Sequence, residues 1–229
     1  GVREVCMMED VMSKLGMKTG IEGKEVIVQG LGNVGFYTAK FFREHGAKLI
    51  AIAEYEGAIY CKEGLNEEEV FNHRKKTGSI LNFPGATNIE KSKDALELEC
   101  DILIPAALGG VIHSQNADKI KANFVIEGAN QPITTAADIK LQERKIVVVP
   151  DILANSGGVM GSYFEWTQNI QQFSWSIEKF RKELDERMEK AFTDVHEVSK
   201  KYKIDLRSAA FVVSVGRVST AFLQRGSLV

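Results

Sequence analysis

Glu25-Val26-Ile27-Val28-Gln29-Gly30-Leu31-Gly32-Asn33-Val34-Gly35 is the stretch on which the fold turns. Val26, Ile27 and Val28 form a branched apolar run of strand length, stopped by glycine. From Asn33 the period becomes helical. Val34, Tyr37, Thr38, Phe41 and Phe42 fall on one side, Lys40, Arg43 and Glu44 turn toward solvent, and Gly46 ends the run. Residues 47–53 give a second apolar strand, so residues 26–53 predict a strand–helix–strand unit with a right-handed crossover.

The glycines give the turn its chemistry. Gly30 permits the tight bend, Gly32 lets a pyrophosphate approach the backbone, and Gly35 lets helix and strand pack closely. Phosphates are expected over the helix start at Gly32, Asn33 and Val34, where unpaired N–H groups and the helix dipole favour negative charge. Glu54 ends the second strand at about the 20-residue distance expected of a carboxylate that accepts from the adenosine ribose hydroxyls. That carboxylate would repel a 2′-phosphate, and no arginine directly follows it, so the expected cofactor is NAD, with NADP as the alternative.

Further runs without polar alternation stand at Ile102-Leu103-Ile104, Phe124-Val125-Ile126 and Ile146-Val147-Val148-Val149, as expected of strands covered on both faces. Each leads into a loop rich in small residues: 105–110, 127–130 and 150–158. Ligands of open sheets bind beyond such strand ends, so these loops are read as a cofactor groove. An excursion precedes them. Gly57-Ala58-Ile59-Tyr60 reads as extended, then a helix follows with Asn66 as N-cap, Glu69 as its capping-box partner and Thr77-Gly78 as its end. Its charges, Glu67, Glu68, Glu69, Arg74, Lys75 and Lys76, read as a solvated face. Beyond Gly158 the chain is mostly helical. Ile177, Phe180, Leu184, Met188, Ala191, Val195, Val198 and Tyr202 mark one long helix, and Asp205 caps a last one carrying Ala209, Ala210, Val213, Arg217, Ala221 and Phe222. Both apolar stripes read as core, and Phe164, Trp166, Phe173 and Trp175 as a hinge packed on another domain.

The predicted fold class is therefore α/β: a Rossmann-type, mainly parallel sheet flanked by helices, with a long helical C-terminal segment. Residues 1–229 read as one dinucleotide-binding domain, with a leading helix at 1–20, a core at 24–155, and a hinge and C-terminal helices at 156–229. The leading helix rests on Val2, Val5, Cys6, Val11, Met12 and Leu15 and closes at Gly16. A chain that opens on Gly1 and moves straight into that helix reads as a fragment of a longer one.

Composition excludes several classes. With 29 basic and 31 acidic residues scattered along the chain, nothing funnels a polyanion, and no nucleic-acid role is expected. Cys6, Cys61 and Cys100 have no disulfide or zinc spacing, which fits a reducing, cytoplasmic compartment. His45, His73, His113 and His196 have no metal-ligand spacing, so no metal is expected. No run reaches the roughly 20 apolar residues needed to span a bilayer, and no membrane role is expected.

Six stretches, in order along the chain, carry a family resemblance: residues 19–24, 29–35, 100–107, 127–130, 149–159 and 205–210. The chain resembles the coenzyme-binding domain of the glutamate, leucine, phenylalanine and valine dehydrogenase family. The resemblance implies oxidative deamination of an L-amino acid to a 2-oxo acid and ammonia, with hydride passed to a nicotinamide. It implies that Gly30 to Gly35 hold the pyrophosphate and Glu54 the ribose, with Ala106, Ala107, Asn130 and Asn155 lining the way to the nicotinamide. Val159 and Ser162 match residues that border the substrate side-chain pocket of the glutamate-specific branch, which makes L-glutamate the expected substrate and leucine, phenylalanine or valine the alternatives. The family's catalytic lysine and aspartate lie in a separate N-terminal domain whose motifs do not occur here, so Lys24, Lys40, Lys48 and Lys62 are given no catalytic role, and the isolated chain is expected to be inactive. The parent is expected to be a homo-oligomer, a hexamer by resemblance, in the cytoplasm or the mitochondrial matrix, and the isolated domain a monomer. The chain departs from the family at Gly109-Gly110-Val111-Ile112, where polar residues are common, and at Gln131, where glycine is common. The competing function is a dinucleotide-sensing module that never turns over substrate.

Overall fold

A computed structural model describes residues 8–226. Val2, Val5 and Cys6 lie outside the described residues. The leading helix is seen as α1 (Glu9–Lys14), and Gly16 follows at φ +70°, a left-handed position that stops it.

Seven strands form one sheet in the order β4-β3-β2-β1-β5-β6-β7: β1 (Glu25–Gln29), β2 (Lys48–Glu54), β3 (Gly57–Tyr60), β4 (Thr87–Ile89), β5 (Ile102–Pro105), β6 (Phe124–Ile126) and β7 (Val147–Val149). β2, β1, β5, β6 and β7 run parallel. β3 turns back antiparallel on β2, and β4 on β3, so the expected mainly parallel α/β sheet carries a short antiparallel edge. From β1 the chain moves outward to β2, β3 and β4, then returns to the other side of β1 as β5. The strand order therefore reverses between β1 and β5, where open α/β sheets hold their ligands.

One face of the sheet packs Ile27, Ile50, Leu103 and Val125 against Leu96, Ile120 and Leu141, all buried. Leu141 comes from α4 (Thr135–Glu143). α2 (Asn33–Glu44) lies against β1 and β2. Its buried residues are Gly35, Ala39 and Phe42; of the side that the apolar period marked, Phe42 is buried and Thr38 half-buried, but Val34, Tyr37 and Phe41 are about half exposed. Gly35 decides this. At its first turn only the face containing a residue without a side chain can approach β1 closely enough, and that turns Val34, Tyr37 and Phe41 outward.

α3 (Glu67–Thr77) begins where Asn66 was expected to cap it, the Asn66 amide oxygen accepting from the Glu68 and Glu69 N–H groups. It ends at Gly78, φ +83°. Its acidic start is not all solvated. Glu67 is fully buried and accepts from the Arg43 guanidinium at 2.5 and 3.0 Å, which pins α3 to α2. Beside it, Lys40 bonds Glu68 at 2.6 Å, raising the lysine pKa and lowering that of the glutamate. Glu67→Ala strands the guanidinium, but Arg43 is about one-third exposed and water can reach it. A loss of about 2 kcal/mol is expected, below the range for fully buried pairs, read as a lower urea midpoint at unchanged slope.

The chain divides into two units, the first ending at Asp151 and the second starting at Ile152. α5 (Asp151–Ala154) begins at that boundary. The second unit holds α6 (Ser156–Gln171), α7 (Ile177–Tyr202) and α8 (Leu206–Arg225). Phe164 is its buried centre, with Trp175 and Phe180 rings at 5.3 and 5.5 Å, while Trp166 and Phe173 are exposed. Asp205 caps α8 as expected, accepting from Ser208 N–H at 2.9 Å. The two apolar stripes are core only in part. Of their residues Val195, Ala209 and Ala210 are buried, but Ile177, Tyr202 and Phe222 are exposed; outside the stripes, Phe192 and Leu206 are also buried and Phe211, Val215 and Val218 exposed. By length and composition α8 is long and apolar enough to cross a membrane, although polar residues interrupt its apolar run. Here it packs on α7 and ties Arg217 to Asp194 at 2.5 Å.

Candidate dinucleotide site

At the C-terminal end of β1 three strand ends converge. Gly30 N–H donates to the Ala53 carbonyl at 2.7 Å, and Ala106 N–H donates to that of Gln29 at 2.8 Å. Gly30 adopts φ +94°, and a Cβ there would stand 3.0 Å from both the Ala106 oxygen and the Ala107 Cβ. Gly35 is tighter still, its absent Cβ falling 1.9 Å from the Gly30 oxygen. Gly32 is the opposite case: exposed, with nothing within 4 Å of the position of a Cβ. The two outer glycines thus close the turn against protein, and the middle one faces open space at the start of α2. Gly32 is the N-cap of that helix and offers no side-chain cap, while Asn33 and Val34 are exposed in its first turn. Uncapped N–H groups facing open space suit an anion.

Glu54 stands at the end of β2 and bends toward this turn, one oxygen accepting from the Leu31 N–H. The same oxygen accepts from Arg74 of α3 at 3.0 Å, and the other lies 3.5 Å from the second guanidinium nitrogen. Arg74, which the sequence reading assigned to solvent, is thus paired with the strand-end carboxylate. It shares a helix face with the buried residues Glu67 and Val70, and that spacing was the available signal.

The far side of the turn is built by β5 and β6. Gly128 and Ala129 N–H groups both donate to the Pro105 carbonyl, and a Cβ on Gly128 would meet the Ala106 methyl at 3.1 Å. Ala106 is half-buried, and Ala107 and Asn130 are exposed. Behind them lies a polar chain that sequence reasoning missed. Buried Glu127 accepts from the Asp151 N–H at 2.7 Å, and the Asp151 carboxylate accepts from the Gln131 N–H at 2.8 Å. Gln131 sits at φ +48°, where a side chain costs about 1 kcal/mol, which gives a physical reason for glycine at this position in relatives.

Gly30, Gly32, Asn33, Val34, Gly35, Glu54, Ala106, Ala107 and Asn130 all belong to the first unit. Asn155, Val159 and Ser162 belong to the second, Asn155 as N-cap of α6 and the other two in its first two turns. Val159 and Ser162 are exposed, and the Ser162 hydroxyl donates to the Gly158 carbonyl at 3.2 Å. The lysines denied a catalytic role include two with local partners: Lys24 is buried and donates to the Lys18 carbonyl at 2.7 Å, and Lys40 holds Glu68. Burial pushes the Cys100 thiol up to about 12, so it stays protonated at neutral pH.

A family described as glutamate/leucine/phenylalanine/valine dehydrogenase matches residues 1–226. A glutamate dehydrogenase of Thermotoga maritima is 46% identical over 210 residues, 90% of this chain and 50% of that protein. Among solved structures, the hetero-hexameric glutamate dehydrogenase of Thermus thermophilus, in a leucine-bound form, superposes with a TM-score of 0.88 at 29% identity, over 99% of this chain and 53% of that one. That of Peptoniphilus asaccharolyticus gives 0.79 at 31%, over 97% and 52%. The chain spans about half the length of these relatives.

Proposed function

We propose, from the premise that this chain belongs to the glutamate, leucine, phenylalanine and valine dehydrogenase family, that it is the NAD(P)-binding part of an enzyme that reversibly deaminates L-glutamate to 2-oxoglutarate and ammonia. The observation that carries the reading is the turn after β1: two glycines locked against backbone, a third facing open space at an uncapped helix start, and a carboxylate held beside them. These residues fit a dinucleotide. The first turn of α2 would take the pyrophosphate, Glu54 the adenosine ribose, and Ala106, Ala107 and Asn130 the approach to the nicotinamide. When bound, the nicotinamide supplies the hydride chemistry. The protein's part is to hold it in place and to orient it. Glu54 by itself favours NAD over NADP by charge, and its pairing with Arg74 reduces that preference.

Proton transfer is assigned to a further domain, in keeping with a chain half the length of its relatives and with Lys24 and Lys40 engaged elsewhere. The isolated chain then binds cofactor without turnover. Val159 and Ser162 border the amino-acid side-chain pocket in this reading, one helical turn apart on α6. The Ser162 bond to Gly158 is a single long contact that a carboxylate can displace. The parent is proposed to be a homo-oligomer in the cytoplasm or the mitochondrial matrix, and its proposed hexameric state is supported by likeness to the Thermus enzyme, itself a hetero-hexamer.

Titration of the isolated chain with NADH, followed by fluorescence or calorimetry, is expected to saturate, and no binding at about 1 mM, an affinity near 4 kcal/mol, would overturn the cofactor reading. For the longer protein, kcat/KM is expected to be higher for L-glutamate than for leucine, phenylalanine or valine, and Ser162→Ala is expected to erode that preference. A parent that favours leucine would refute the substrate assignment. A parent that binds NADH but deaminates nothing would favour the sensing alternative.

A further inference from the structure

The contact between Glu54 and Arg74 changes what Glu54 can do, and we infer that Arg74 is the residue that sets how this chain discriminates NAD from NADP. The inference rests on the dinucleotide reading above. A lone carboxylate at the ribose position repels a 2′-phosphate. Here the carboxylate is already paired with a guanidinium at 3.0 Å, so an incoming phosphate meets a pair whose charges cancel.

Three features make the pair convertible rather than fixed. Arg74 holds Glu54 unevenly, at 3.0 and 3.5 Å, and its side chain is 28% exposed, so it can turn toward solvent-side ligand. Glu54 keeps the Leu31 N–H when Arg74 leaves, so the partly buried carboxylate is not stranded. Arg74 is also carried on a helix that does not shift with it. α3 is fastened at its other end by Arg43 on Glu67 and Lys40 on Glu68.

With NAD, Arg74 stays on Glu54 while the less engaged carboxylate oxygen is left for the ribose hydroxyls. With NADP, the planar guanidinium turns to the 2′-phosphate, for which its paired N–H groups are matched. The next residue, Lys75, is not equivalent, because its ammonium lies 4.7 Å from the centre of the Phe71 ring on its own helix. The chain is thereby a dual-cofactor binder in which NAD keeps only a small advantage.

The test is a pair of titrations, NADH and NADPH, on the isolated chain and on Arg74→Gln and Arg74→Lys. The unaltered chain is expected to bind both within about tenfold, since the opposing charge effects are of similar size. Arg74→Gln is expected to weaken NADPH by about tenfold or more and NADH by less than about threefold, the loss of one charge-assisted contact. Arg74→Lys should recover part of the NADPH affinity and, as the milder change, carries the test if the glutamine variant does not fold. Equal weakening of both cofactors, or an unmoved ratio, overturns the inference while leaving the cofactor reading intact. If neither cofactor binds the unaltered chain, the cofactor reading falls and takes this inference with it.

Discussion

Gly35→Ala is expected to lower the melting temperature by about 6–12 °C, the equivalent of about 3 kcal/mol in a protein of this size. The added methyl would sit 1.9 Å from the Gly30 oxygen and 2.7 Å from its carbon. Both are backbone atoms of the turn, so no rotamer change relieves the clash. Either the start of α2 lifts from β1 or the turn opens, and each loses packing around Val28, whose Cγ1 is 3.5 Å from the same point. The damage is to the fold first and to binding as a result. Thermal melts followed by circular dichroism measure it, and a shift under about 2 °C would mean that the close approach of helix and turn is not maintained in solution.

Gly32→Val is expected to do the reverse. Nothing lies within 4 Å of the new Cβ, and the residue's φ of −79° and ψ of −167° are ones a branched side chain accepts. The Phe36 N–H bond to the Gly32 carbonyl, 2.8 Å, is untouched. Stability should therefore hold to within about 0.5 kcal/mol, as at ordinary surface positions. NADH affinity should fall about a hundredfold, near 2.7 kcal/mol, because the isopropyl group fills the space that phosphate needs beside the helix start. A folded Gly32→Val chain that binds NADH normally would move the phosphates away from this turn. Measured together, the two glycine variants separate packing from recognition at positions three residues apart.

Legibility in the sequence follows the range of the interactions. Gly30, Gly32 and Gly35 could be read because each answers a demand made within one turn, and Asn66 and Asp205 because a cap bonds only to the next few residues. β5, β6 and β7 could be read because strands covered on both faces have no polar alternation. β4, Thr87-Asn88-Ile89, could not, since a polar edge strand leaves no apolar run to find. The inward face of α2 was read correctly at Phe42 but not at Val34, Tyr37 and Phe41, because periodicity counts apolar residues and gives Gly35 no weight, although its smallness sets the orientation. Arg74 and Glu67 were placed in solvent because their partners, Glu54 and Arg43, lie 20 and 24 residues away on other elements. A charge run on one helix says nothing of what the fold brings against it.

The order of the strands also sets a timetable for synthesis. β1 pairs with β2 soon after it in the chain, but its other neighbour is β5, and the Glu25 N–H donates to Asp101 across 76 residues. At ribosomal rates of about 5–20 residues per second, β1 waits on the order of 4–15 s with one edge unpaired. During that interval the glycine turn can form, but the Ala106-Ala107 side that Gly30 packs against has not been made. The nascent chain therefore passes through a stage with an open hydrophobic strand edge at its centre, the kind of surface that chaperones occupy, and acquires its crevice only when β5 closes that edge.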